Sequence, residues 1–72
     1  MTLSQFEALA RLAGLEAGSR SREAARLVLV EGLTQAEAAR QAGITRVVSG
    51  RAVKRCQEAL ELARVAAGTP SP

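Results

Sequence analysis

Between Arg46 and Arg55 the chain places four cations, Arg46, Arg51, Lys54 and Arg55, and no acid. Projected on a helix at about 100° per residue, Arg46, Val47, Gly50, Arg51 and Lys54 share one face, and Val48, Ser49, Ala52, Val53 and Cys56 share the other. The outer face is therefore cationic and nearly flat. If the helix starts after Thr45, two of its cations lie near the end where the macrodipole disfavours positive charge. A phosphate partner turns that cost into a gain, through counterion release and charge-assisted hydrogen bonds. Gly50 inside a helix costs roughly 1 kcal/mol relative to Ala, and close approach to a DNA groove is one reason to keep it.

Other chemistries have little to stand on. The sequence has no His and a single Cys, Cys56. Zinc sites, Cys/His nucleophile pairs and internal disulfides are thereby excluded, and no enzyme activity, metal or cofactor is expected. Cys56 falls on the inward face and reads as a small packing residue. Ten basic residues against seven acidic ones give a net charge of +3, and the pI is near 10.5, which permits a polyanionic partner. Nine of the ten cations are Arg, the side chain better suited to bidentate contact with guanine edges and phosphates.

At 72 residues one domain is expected, near the lower end of what folds alone, so dimerisation would help it. Hydrophobic residues make up 47%, but much of that is alanine, with one Phe and no Trp or Tyr. The core must be thin. Glu7 and Arg11 interrupt the first apolar stretch, and no uncharged run is long enough to span a membrane. The expectation is a soluble, cytoplasmic, nucleoid-associated protein with no small-molecule effector evident.

The cationic helix must be held by what precedes it. Thr34 with Glu37 makes a capping-box pattern, and Leu33 with Ala38 a hydrophobic staple, so a helix starts at Gln35. Ala36, Ala38, Ala39 and Ala42 keep that helix slim, Gly43 ends it, Ile44 fills the corner and Thr45 caps the next helix. Small residues let two helices joined by a short turn cross closely. The segment 34–55 is a helix-turn-helix.

Upstream, Ser4 with Glu7 predicts a first helix over about Gln5 to Leu15, with Phe6, Leu9 and Leu12 or Ala13 as its buried stripe. Ser21 or Ser19 caps a second helix running to about Glu31 and stopped by Gly32. Its apolar end, Leu27 to Val30, could form a strand on pattern alone. The unbroken run from Arg22 and the lack of a partner strand favour a helix. Downstream, Val53, Cys56, Leu60, Ala63 and Ala67 advance by 3, 4, 3, 4. That is a heptad seam which either folds back on the first helix or forms a homodimer contact, with the dimer favoured. The fold class is all-α: a four-helix DNA-binding domain over 1–68 with a long last helix, then a disordered tail over 69–72.

These residues resemble the KorA (TrfB-related) repressors of broad-host-range plasmids. The resemblance covers roughly Thr2 to Gln57 and includes Ser4-Gln5-Phe6, Gly14-Leu15-Glu16, Gly18, Glu23, Ala25-Arg26, Val28-Leu29-Val30, Gly32, Gln35-Ala36, Ala39, Gly43, Thr45-Arg46, Ala52-Val53 and Arg55. It implies an all-helical repressor that binds a double-stranded operator as a homodimer. Carried over by position, Thr45, Arg46, Val47, Gly50 and Arg51 read DNA, and Gln35 touches a phosphate. Two departures stand out. Ser49 occupies a position where the family has an aliphatic residue, so either Val48 supplies the wedge or Ser49 bonds back to the Thr45 carbonyl. Arg51 stands where the family places a glutamine, which shifts the preferred base from adenine toward guanine. The family's C-terminal extension is not found in this sequence, so its mode of dimerisation does not carry over, and the heptad seam is the expected substitute.

Together these features predict that Arg51 reads a guanine, Val47 meets a thymine methyl, Arg46 takes a base edge or phosphate, and Lys54 and Arg55 clamp the backbone. Arg22, Arg26 and Arg40 read as solvated surface charges. The segment from Gly43 to Leu60 also resembles the fourth region of sigma factors. The alternative is thus a protein-interaction module that contacts the transcription machinery.

Overall fold

The computed structural model describes residues 1–68; the disordered tail expected at 69–72 lies outside them. Four helices follow in order: α1 (Leu3–Leu12), α2 (Arg20–Leu29), α3 (Gln35–Ala42) and α4 (Arg46–Ala66). The described residues include no strand, and the apolar end of α2 is helical up to Leu29.

The first cap differs from the expectation. Thr2, not Ser4, is the N-cap of α1: its hydroxyl accepts from the Gln5 amide at 3.1 Å, and the Gln5 side chain accepts from the Thr2 amide at 3.0 Å. Thr2 and Gln5 satisfy the same spacing rule as Ser4 and Glu7, two residues earlier, and with both bonds of the box made the helix gains those residues. At its other end α1 stops at Leu12 rather than Leu15, because Gly14 turns left-handed at φ 76°. Leu15 is thereby returned to the core, its amide bonded to the Ala10 carbonyl at 2.9 Å. Of the two serines open as caps for α2, Ser19 is used, accepting from the Arg22 amide at 3.1 Å.

α2 packs against each of the other three helices. On one side Phe6, Leu9, Ala10 and Leu15 meet Ala25, Ala52, Val53 and Cys56; on the other Ala24 and Leu27 meet Ala38, with Leu33, Ala42 and Ile44 partly buried around them. Half of the buried apolar residues are alanines. The helices are close because little stands between them, and Phe6, 1% exposed, is the largest buried side chain.

The heptad seam divides. Val53 and Cys56 are 2% and 0% exposed within the protomer, packed with Phe6 and Leu9. Their place at a dimer contact is therefore corrected: α1 already covers them. Leu60 is partly buried against the same cluster, Ala63 is half-buried and Ala67 exposed. Leu62 and Val65, between them, are 69% and 60% exposed, as is Leu12 of α1 at 68%.

Candidate nucleic-acid interface

α3 and α4 are joined by three residues, Gly43, Ile44 and Thr45. Gly43 takes φ 73°, a conformation that costs a residue with a Cβ but not glycine. Its amide bonds to the Arg40 carbonyl at 3.3 Å, and the Ile44 amide to the Ala39 carbonyl at 3.0 Å. This paired closure of a helix C-terminus fixes the direction in which the chain leaves. Ile44 packs into the small α2/α3 cluster. Thr45 then starts α4, its hydroxyl accepting from the Val48 amide at 3.2 Å. At the start of α3 only half of the expected capping box forms. Thr34 accepts from the Glu37 amide at 3.2 Å, while the Glu37 carboxylate is drawn to Arg40.

The inward face of α4 is closed by Ser49, Ala52, Val53 and Cys56. Opposite it Arg46, Val47, Arg51 and Lys54 are exposed and Gly50 is half-buried. The first turn of α4 holds no acid, and among the described residues neither Arg46 nor Arg51 has a hydrogen bond or ion pair. Lys54 Nζ stands 4.0 Å from Glu58, a loose exposed pair worth little.

Arg26 and Arg40 behave otherwise. Arg26 pairs with Glu23 and, at 3.3 Å, with Glu31; Arg40 pairs with Glu37. The hydrogen bond from Arg26 holds the Glu23 carboxyl below its usual range, and that from Arg40 does the same to Glu37. Arg26 and Arg40 are thus partly neutralised by carboxylates close to them in sequence.

Two expectations about α4 change. Arg55 does not project as a backbone clamp: its guanidinium donates to the Ala13 carbonyl at 2.7 Å, ending α1 and tying it to α4. A cation at a helix C-terminus is electrostatically favoured there. The contact joins residues too far apart in sequence for pattern to reveal. Ser49 neither leaves the wedge to Val48 nor bonds back to Thr45. It is itself buried at 0% exposure, with Val48 at 36%, and its hydroxyl donates to the Gln35 carbonyl at 3.4 Å. A small polar residue fits because the first residue of α3 offers it an acceptor.

A Cβ on Gly50 would stand 3.0 Å from Gln35 Oε1, so the missing side chain leaves room for the glutamine. Burial pushes the Cys56 thiol up, consistent with a packing role. The described residues hold no cluster of metal-ligating side chains and no helix long and apolar enough to cross a membrane.

What the sequence pattern missed lies at the other end of α4. Leu12, Ala59, Leu62, Ala63 and Ala66 line one apolar groove of about 400 Å³, with Arg55 and Glu58 at its edge. Its signal was present as a second row, Ala59, Leu62 and Ala66, also spaced 3 and 4 apart and running beside the first.

Among the described residues the last two of four helices meet at a tight glycine turn, with unpaired Arg46 and Arg51 beyond it. Residues 1–70 match the family model described as TrfB plasmid transcriptional repressor; the chain belongs to that family of plasmid transcriptional repressors. No curated protein and no solved structure matches it.

Proposed function

We propose that this protein represses transcription by binding a palindromic DNA operator as a homodimer, with α3 and α4 acting as a helix-turn-helix. The observation that carries this is the outer face of α4, where Arg46 and Arg51 are exposed and without ion partners among the described residues. Three outward cations, Arg46, Arg51 and Lys54, with no acid among them on a helix whose N-terminal turn lacks a carboxylate suit a phosphate-lined groove better than bulk water. α4 enters the major groove N-terminus first. Arg51 reads a guanine through O6 and N7, Val47 meets a thymine methyl, and Arg46 takes a base edge or phosphate. Thr45 approaches the backbone at the helix start, and Lys54 neutralises a phosphate further along. Gly50 keeps the face flat. The protein works on DNA in the cytoplasm, and occupied operator excludes polymerase.

The dimer forms through the far half of α4. Leu12, Leu62 and Val65, all more than half exposed, supply apolar area that a small thin-cored domain gains by covering. Ala63 and Ala67, from the expected seam, flank it. Two recognition helices related by two-fold symmetry then meet half-sites about one helical turn, roughly 34–36 Å, apart.

Gel-shift titration of the DNA upstream of the protein's own gene, at two salt concentrations, tests the proposal. A repressor binds one defined inverted repeat at roughly nanomolar concentration, and binding weakens steeply with salt. Binding to a protein partner with no preference among duplexes would instead favour the sigma-like alternative.

A further inference from the structure

The residues that lead into α2 lie along the first half of α4. Leu15 and Ser21 line a small groove of about 210 Å³ together with Val48, Arg51, Ala52 and Arg55, which sets them beside the cationic face. The next contact is at the corner. A Cβ on Gly43 would stand 3.8 Å from Arg20 Nη1, so the guanidinium lies against the turn that delivers the chain to Thr45 and Arg46. The backbone that carries it is fixed: the Ser19 hydroxyl caps α2 by accepting from the Arg22 amide at 3.1 Å, and Ala24 and Ala25 are fully buried. Arg20 is nonetheless exposed and has no side-chain hydrogen bond or ion pair among the described residues. Glu7 and Glu23 share a second groove with it; Glu23 is taken by Arg26, and among the described residues Glu7 forms no ion pair. Arg20 is also the first residue of α2, where the macrodipole disfavours a cation. Arg46 stands at the start of α4 in the same way.

We infer that Arg20 is a DNA-backbone contact: its guanidinium prolongs the cationic surface of α4 across the Gly43 corner and neutralises a phosphate that α3 and α4 leave to it. An unpaired cation that costs its own helix free energy gains from an anion supplied by the partner, as Arg46 does. Arginine suits the task. Its several donors meet phosphate oxygens from more than one direction, so the side chain needs no rigid seat of the kind a base edge demands. The inference rests on the operator reading above and extends the interface from two helices to three. Arg26 and Arg40, engaged by carboxylates, stay outside it.

The test is a set of binding titrations over a range of salt, with wild type, Arg20→Gln and Arg20→Lys, on operators that carry single neutral methylphosphonate linkages. Arg20→Gln is expected to weaken the operator and its base-pair variants by the same factor and to lower the slope of log K against log salt by about 1 for each bound protomer. Arg20→Lys, which keeps the charge, retains the slope. One methylphosphonate per half-site is expected to weaken wild type and leave Arg20→Gln unaffected, because the cation it would deprive is already gone. Removing a cation from a helix start costs the fold nothing, so the Tm of Arg20→Gln should equal or exceed that of wild type. Unchanged affinity and salt slope in Arg20→Gln would overturn the inference, as would equal sensitivity of both proteins to every methylphosphonate. A wild-type protein that binds all duplexes alike would overturn the operator reading itself.

Discussion

The two halves of α4 are one continuous helix with opposite exposures. From Arg46 to Cys56 its inward face is sealed by Ser49, Ala52, Val53 and Cys56, and its outward face holds cations. Among the described residues past Cys56 none is fully buried; Leu62 and Val65 face outward, and Glu58 and Glu61 supply acid. The first half is packed through Ala52, Val53 and Cys56 against Phe6, Leu9 and Ala25. The second is apolar where it has no neighbour. The contrast sets a packed cationic half and an exposed apolar half on one element of a 72-residue chain; under the proposed function the first reads DNA and the second associates.

The largest effect that separates the halves comes from burying a charge. Val53→Asp places a carboxylate among Phe6, Leu9 and Cys56, with a penalty of several kcal/mol, comparable to the stability of a small domain. Loss of the cooperative thermal transition is the expected outcome. Leu62→Glu, on the exposed half, is expected to keep the helical circular dichroism and to shift sedimentation equilibrium from dimer to monomer. A dimer that survives Leu62→Glu paired with Val65→Glu would contradict the role of that surface.

On the DNA side, Arg51→Ala is expected to cost on the order of 1–3 kcal/mol in operator binding and to relax one base position. Its thermal stability should stay within about 0.5 kcal/mol of wild type, since the side chain supports nothing else. Arg55→Ala, four residues on, should show the reverse. Removing a charge-assisted bond to the end of α1 lowers stability by about 1–3 kcal/mol, while the salt dependence of binding is unchanged. The smallest effect is expected for Lys54→Ala, which weakens all sequences alike and lowers the slope of log K against log salt by about 1.

The same contrast shows which features the sequence made legible. Local signals sufficed for the cationic half: Thr34, Gly43 and Thr45 mark the turn by cap chemistry alone, and Arg46, Arg51 and Lys54 of α4 fall on one face by periodicity. The distant contacts were hidden. Arg55 reaches Ala13 across 42 positions, Ser49 finds its acceptor on Gln35 across 14, and no period encodes either. Val53 and Cys56 fit a heptad because the inner face of any amphipathic helix does. Only the packing of Phe6 and Leu9 against them decides between core and interface. At α1 two capping patterns overlapped, Thr2 with Gln5 and Ser4 with Glu7, and local spacing could not rank them.

Methylation protection of guanine N7, which lies in the major groove, puts the cationic face of α4 to the sharpest test. With wild type bound, a guanine in each half-site is expected to be shielded from methylation, and Arg51→Ala, at a concentration that restores occupancy, should expose that same guanine. Guanine N7 reacting as freely in the complex as in free DNA would contradict the account.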